Sequence, residues 1–172
     1  MKFIPLILSF LLIVNFSSAQ TNEQIVVIHN AVQLINSEKT YDIRNITNEY
    51  FVDVKNEAAD NGQELTGYYK SGKLKKIAYK LGLSNCMKTY EYYFSDSGLI
   101  FMFEKESDFP AKSDGSGLDN TKLVPGYEGR FYFENGKLIQ TVIKGKERSE
   151  EPDKEKFTTQ LKTLLEDLKR HK

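Results

Sequence analysis

The chain of 172 residues has no tryptophan, one cysteine and two histidines, and its 24 Lys and Arg are matched by 24 Asp and Glu. Each shortage excludes something. Without a charge excess there is no long-range field to draw in nucleic acid or an anionic membrane surface. A single cysteine, Cys86, makes no intrachain disulfide, so a domain of this size is held together by packing, with Cys86 itself read as a partly buried, inert thiol. Two histidines and one thiol are too few for a zinc or copper ligand set. Neither G-x-x-x-x-G-K-S/T nor G-x-G-x-x-G occurs, which leaves no loop built to cradle phosphate. No cofactor, no metal and no nucleic-acid partner is expected.

What the chain does have begins with MKFIPLILSFLLIVNFSSAQ. Lys2 supplies a positive start, Ile4 to Val14 is apolar apart from Pro5 and Ser9, and Ser17-Ser18-Ala19 places small residues before Gln20. This pattern is a secretory signal peptide over 1–19, cut after Ala19. The run is shorter than the ~20 apolar residues of a membrane span. The expected protein is therefore periplasmic or secreted, with no stable membrane insertion after cleavage. Removing 1–19 takes away one charged residue, Lys2, so the single domain 20–172 is close to neutral.

Periodicity divides that domain into helix, sheet and helix. Ile25, Ile28, Val32 and Ile35 fall on one face of a helix over 22–37, with His29, Gln33 and Asn36 on its polar side and Thr21 as N-cap. A strand is predicted over 50–54 and a β meander over 50–144, interrupted by a long loop at 106–126. Within 98–105, Leu99, Phe101 and Phe103 point to one side and Ile100 and Met102 to the other, which makes a central strand. In 130–134, Phe131 and Phe133 point inward and Arg130, Tyr132 and Glu134 outward. Phe157, Leu161, Leu164 and Leu168 mark a second amphipathic helix over 150–171, capped by Ser149 with Pro152 in its first turn. The fold class is α+β: about six or seven antiparallel strands, with both helices on one sheet face in a cystatin-like or inhibitor-like roll.

Three windows repeat: GYYKSGKLKKIAY at 67–79, EYYFSDSGLIFMF at 91–103 and RFYFENGKLIQTV at 130–142. Each is an aromatic pair, a polar turn with glycine and an apolar strand, and Asn135-Gly136 is the dipeptide of a type I′ hairpin. The pattern resembles MORN-type repeats built on a YY-x-x-GKL core, and the layout resembles small secreted bacterial proteins. The second copy lacks the Lys after its Gly and the spacing is uneven, so that family's protein and lipid contacts are not carried over to these residues.

Chemistry-bearing residues are sparse. His29 and His171 both read as surface histidines, the loop 113–120 offers oxygen ligands without the order of a calcium loop, and Asp53 with Glu64 is the carboxylate pair a hydrolase would need. With the helices on one side, Tyr68, Lys76, Lys80 and Tyr132 line the other, an open aromatic and basic face suited to a protein or glycan partner. The expectation is an exported, non-enzymatic binding module, using that face or the loop 106–126. The alternative is a carboxylate-based hydrolase acting on an envelope or extracellular substrate.

Overall fold

The computed structural model describes residues 16–146 and 154–171, with side chains from Asn22 and, in the last helix, from Phe157. Most of the expected signal segment, the Thr21 side chain and the caps at Ser149 and Pro152 lie outside the described residues. The chain runs α1 (Phe16–Ser37), β1 (Asp42–Ile46), a π-helical turn (Tyr50–Val54), and β2 (Gln63–Lys70). It continues through β3 (Lys73–Gly82), β4 (Cys86–Ser95), β5 (Gly98–Asp108), β6 (Val124–Glu134), β7 (Lys137–Gly145) and α2 (Lys154–Arg170). The seven strands form one antiparallel sheet in sequence order, a plain meander, and the fold is α+β as the periodicity predicts.

Three hairpins repeat one geometry. In the first and third, Ser71-Gly72 and Asn135-Gly136 both have positive φ (51° and 75°, 49° and 74°), the type I′ signature whose twist matches the strands. In the second the two turn residues are Asp96 and Ser97, and the positive φ falls one residue later, at Gly98. All three then carry an extra residue at the same place in the returning strand: Lys75, Ile100 and Ile139. This bulge changes the face assignment expected within β5. Leu99 packs with Met102 on one side, whereas Ile100 joins Phe101 and Phe103 on the other, because a bulge puts two successive residues opposite one partner.

Strands β4 to β6 are apolar on both faces, and this corrects the placement of the helices. Tyr92, Met102, Phe131 and Phe133 share a core with Phe157, Leu164 and Leu168 of α2. Tyr93, Phe101 and Tyr132 share a second core with Ile25, Ile28, Val32 and Ile35 of α1. Neighbouring residues of one strand point to opposite faces, so α1 and α2 cover opposite sides of the sheet rather than one. Each apolar face requires its own cover.

Helix α2 crosses the strands. Phe157 meets Phe131 of β6 at 4.7 Å between ring centroids, Gln160 accepts from the Tyr92 hydroxyl of β4 at 2.6 Å, and Leu168 lies over Gly67 of β2. At ~1.5 Å per helical residue and ~4.8 Å per strand, its 17 residues are long enough to bridge five strands. A Cβ on Gly67 would come within 3.0 Å of the Leu168 side chain, so the missing side chain lets the helix sit close.

The strand expected over 50–54 is instead the π-helical turn, and the strand that pairs with β2 is Asp42–Ile46. Tyr50–Val54 has strand-like residue types, but only Phe51 is buried, entering the α2 core with Tyr50 packed partly against it. Tertiary packing therefore overrides β propensity there. The remaining differences are at boundaries: α1 starts at Phe16, so Thr21 lies within the helix rather than at its N-cap, and β5 runs to Asp108 while β6 starts at Val124, which shortens the long loop to 109–123.

Burial pushes the Tyr79 hydroxyl up to about 12 and pushes those of Tyr92 and Tyr93 higher still, with Glu91 adding to Tyr93. In the unfolded chain a tyrosine ionises near ~10. The unfolded state thus loses these protons first, and their contribution is intact below that pH. It then falls by about 1.4 kcal/mol per pH unit for each tyrosine until the folded value is reached. We expect cooperative alkaline unfolding above about pH 10, with the tyrosinate absorbance of these three residues rising together with the loss of helical circular dichroism.

Candidate functional site

The residues expected to form an open face occupy one side of the sheet, and most of them one cross-strand row. Tyr68 pairs with Lys76, Lys76 with Tyr93, Tyr93 with Phe101 and Phe101 with Tyr132, so the equivalent tyrosines of the three hairpins line up. Lys80 lies four residues along β3 on the same side. Helix α1 covers this row. Tyr132 is 3% exposed, meets the Phe101 ring at a tilt with centroids 5.0 Å apart, and shares a hydrogen bond of 3.1 Å with His29 Nε2. Lys76 pairs with Glu91 at 2.7 Å and donates to Asn36 of α1, which also accepts from the Tyr93 hydroxyl.

The open aromatic face is therefore a helix-covered core. Its polar atoms serve α1: of the polar side formed by His29, Gln33 and Asn36, His29 and Asn36 reach down to the sheet at the helix margin. Tyr68 stays half-buried with its edge against Tyr41, and Lys80 stays exposed, paired with Glu64 at 3.3 Å.

Other expected groups are separated. Asp53 lies in the π-helical turn and Glu64 on β2, so they are not partners on adjacent strands. Glu64 accepts from Asn45 at 2.8 Å, and that bond, aided by Lys80, holds its carboxyl below the usual range, the reverse of a general acid's raised value. Cys86 opens β4, buried, its thiol pushed up chiefly by burial and then by Glu106, whereas a reactive thiolate is pulled down. His171 packs edge-on against Tyr50 at 4.9 Å.

At the sheet end away from the hairpin turns, three connections are laced together by Asn61. Its backbone N–H donates to Gly82, its side chain donates to the Leu83 carbonyl at 2.7 Å, and its oxygen accepts from Asn120 at 3.1 Å. Loop 109–123 has its own internal order. Phe109 is buried and its N–H donates to Asn85, Ala111 bridges Leu118, and Lys112 donates to Gly117. Asp114 caps Ser116, and Asp119 accepts from Thr121 while pairing with Lys122 at 2.9 Å, which holds its carboxyl down at about 2. The oxygens that looked available to a cation are spent on turns. Every residue of 111–118 is nevertheless exposed, as are Leu123 and Val124.

One polar cluster escaped the sequence reading. Asp167 of α2 is 2% exposed, pairs with Lys55 at 2.9 Å, and accepts from the Tyr50 hydroxyl at 3.3 Å. Nearby, the Tyr79 hydroxyl donates to Gln63, and Gln63 donates to the Glu57 carbonyl. The available signal was an acid beside the Leu164 and Leu168 stripe, where only a paired carboxylate is tolerated. The cluster pins the π-helical turn to the end of α2.

Comparison of the chain with protein-family models, with curated proteins and with solved structures finds no match.

Breaking the buried pair while leaving one charge behind costs about 3–5 kcal/mol, whereas replacing both groups by apolar ones is close to neutral. Lys55→Met alone is expected to lower the urea midpoint sharply. The double variant Lys55→Met/Asp167→Leu is expected to recover most of the loss.

Proposed function

We propose that the protein is an exported, non-enzymatic binding module that meets a protein or glycan partner through loop 109–123. The observation that carries this reading is the combination of order and exposure in that loop. Its shape is held by its own turns and by Asn120 on Asn61, yet Leu118, Leu123 and Val124 are left facing solvent. Long ordered loops on a rigid scaffold are common carriers of recognition, since fixing their shape beforehand lowers the entropy cost of binding. The signal-like segment supports export to the periplasm or the outside of the cell. Tyr68 and Lys80, on the side of the sheet that α1 covers, form a secondary contact in this reading, while Lys76 and Tyr132 support it from beneath α1.

The test uses the purified protein on a glycan array and against immobilised envelope-protein extract. Leu118→Asp/Leu123→Asp should leave thermal stability within about 0.5 kcal/mol, as for exposed positions, and should abolish whatever the unaltered protein retains. Binding kept by that variant but lost with Tyr68→Ala/Lys80→Ala would move the contact to the sheet. No binding by the unaltered protein would remove the reading.

A further inference from the structure

The bond expected to be cut, between Ala19 and Gln20, lies in the first turns of α1 (Phe16–Ser37). Cutting it makes Gln20 the first residue of the chain. Asn22 and Glu23, the first side chains described after the cut, are exposed, and Ile25 is the first described side chain of α1 that packs on the sheet.

A terminal glutamine has a nucleophilic α-amine and an electrophilic γ-amide that close a five-membered ring. Such intramolecular pairs react with effective concentrations of ~10⁵ M or more when well oriented. We infer that Gln20 of the mature protein is a modification site that closes to pyroglutamate. The α-nitrogen attacks Cδ, the N–Cδ bond forms, the Cδ–Nε2 bond breaks, and Nε2 leaves as ammonia carrying a proton from the α-amine. No oxidant or reductant is required.

The fold adds a reason for the product to be favoured. The start of a helix carries unsatisfied N–H groups and the positive end of the macrodipole, where a terminal ammonium is repelled. The lactam removes that charge, as other terminal caps do. It also leaves no free amine for an aminopeptidase.

This inference rests on the export reading, and one experiment separates the two. The full chain is expressed in a secreting bacterial host, the exported protein is recovered, and its N-terminal peptide is identified by mass spectrometry. The expected peptide starts at residue 20 and is lighter by one ammonia than its sequence requires, while the Gln20→Ala peptide has the full mass its own sequence requires and a reactive amine. A Gln20 peptide that keeps its free amine after prolonged incubation overturns the inference and leaves export standing. Retention of residues 1–19, or a start elsewhere, overturns both the cleavage and the inference. Ammonia loss that persists in Gln20→Ala assigns the loss to another residue and overturns it as well.

Discussion

The structure depends on three neighbouring strands that are apolar on both faces. Tyr92 and Tyr93, Phe101 and Met102, and Phe131 with Tyr132 and Phe133 each send successive large side chains to opposite sides of the sheet. A sheet of this kind cannot leave either side in water without exposing several rings, each worth about 1.5–3 kcal/mol on burial. The two terminal helices are the only other long apolar elements described, and one goes to each face. The sandwich of helix, sheet and helix is a consequence of strand composition rather than of connection lengths.

The repeated hairpin is what brings those rings into line. Two different turns, one pair with two positive φ residues and one with its positive φ at Gly98, converge on the same extra residue in the returning strand. Since the bulge recurs at the same distance from each turn, Tyr68, Tyr93 and Tyr132 fall in one row and present one face to α1. A repeat that looks from its sequence like a display of tyrosines thus builds a core. The polar margins of that core, His29 on Tyr132 and Asn36 on Tyr93 and Lys76, set where along the row α1 sits.

The two ends of the sheet differ in kind. At the turn end, short hairpins are tied by ion pairs such as those of the exposed Asp96 with Lys73 and Lys75, which are worth little individually. At the other end, longer connections are held by buried or shared polar groups: Asn61 between three segments, and Asp167 between α2 and the π-helical turn. The Asn120 bond to Asn61 ties loop 109–123 to this end of the sheet.

Both amphipathic helices, the meander, its hairpin turns and the two-faced nature of β5 were legible in the sequence, because each depends on local periodicity or on residues such as Asn135-Gly136 that the backbone requires. The bulges, the strand at Asp42–Ile46 and the π-helical turn at Tyr50–Val54 were not, since a one-residue slip or a single buried Phe51 leaves no periodic trace. The candidate site divided the same way. Sequence placed Tyr68, Lys76, Lys80 and Tyr132 on one side of the sheet, correctly by alternation, but the covering of that side is decided by which apolar surface the first helix can reach. Likewise Asp167 and Lys55 are 112 residues apart in the chain, and only burial against one another makes either tolerable. Alternation and turn chemistry are short-range and can be read from the chain itself; which face is covered, and which charges meet, is settled by packing between distant segments.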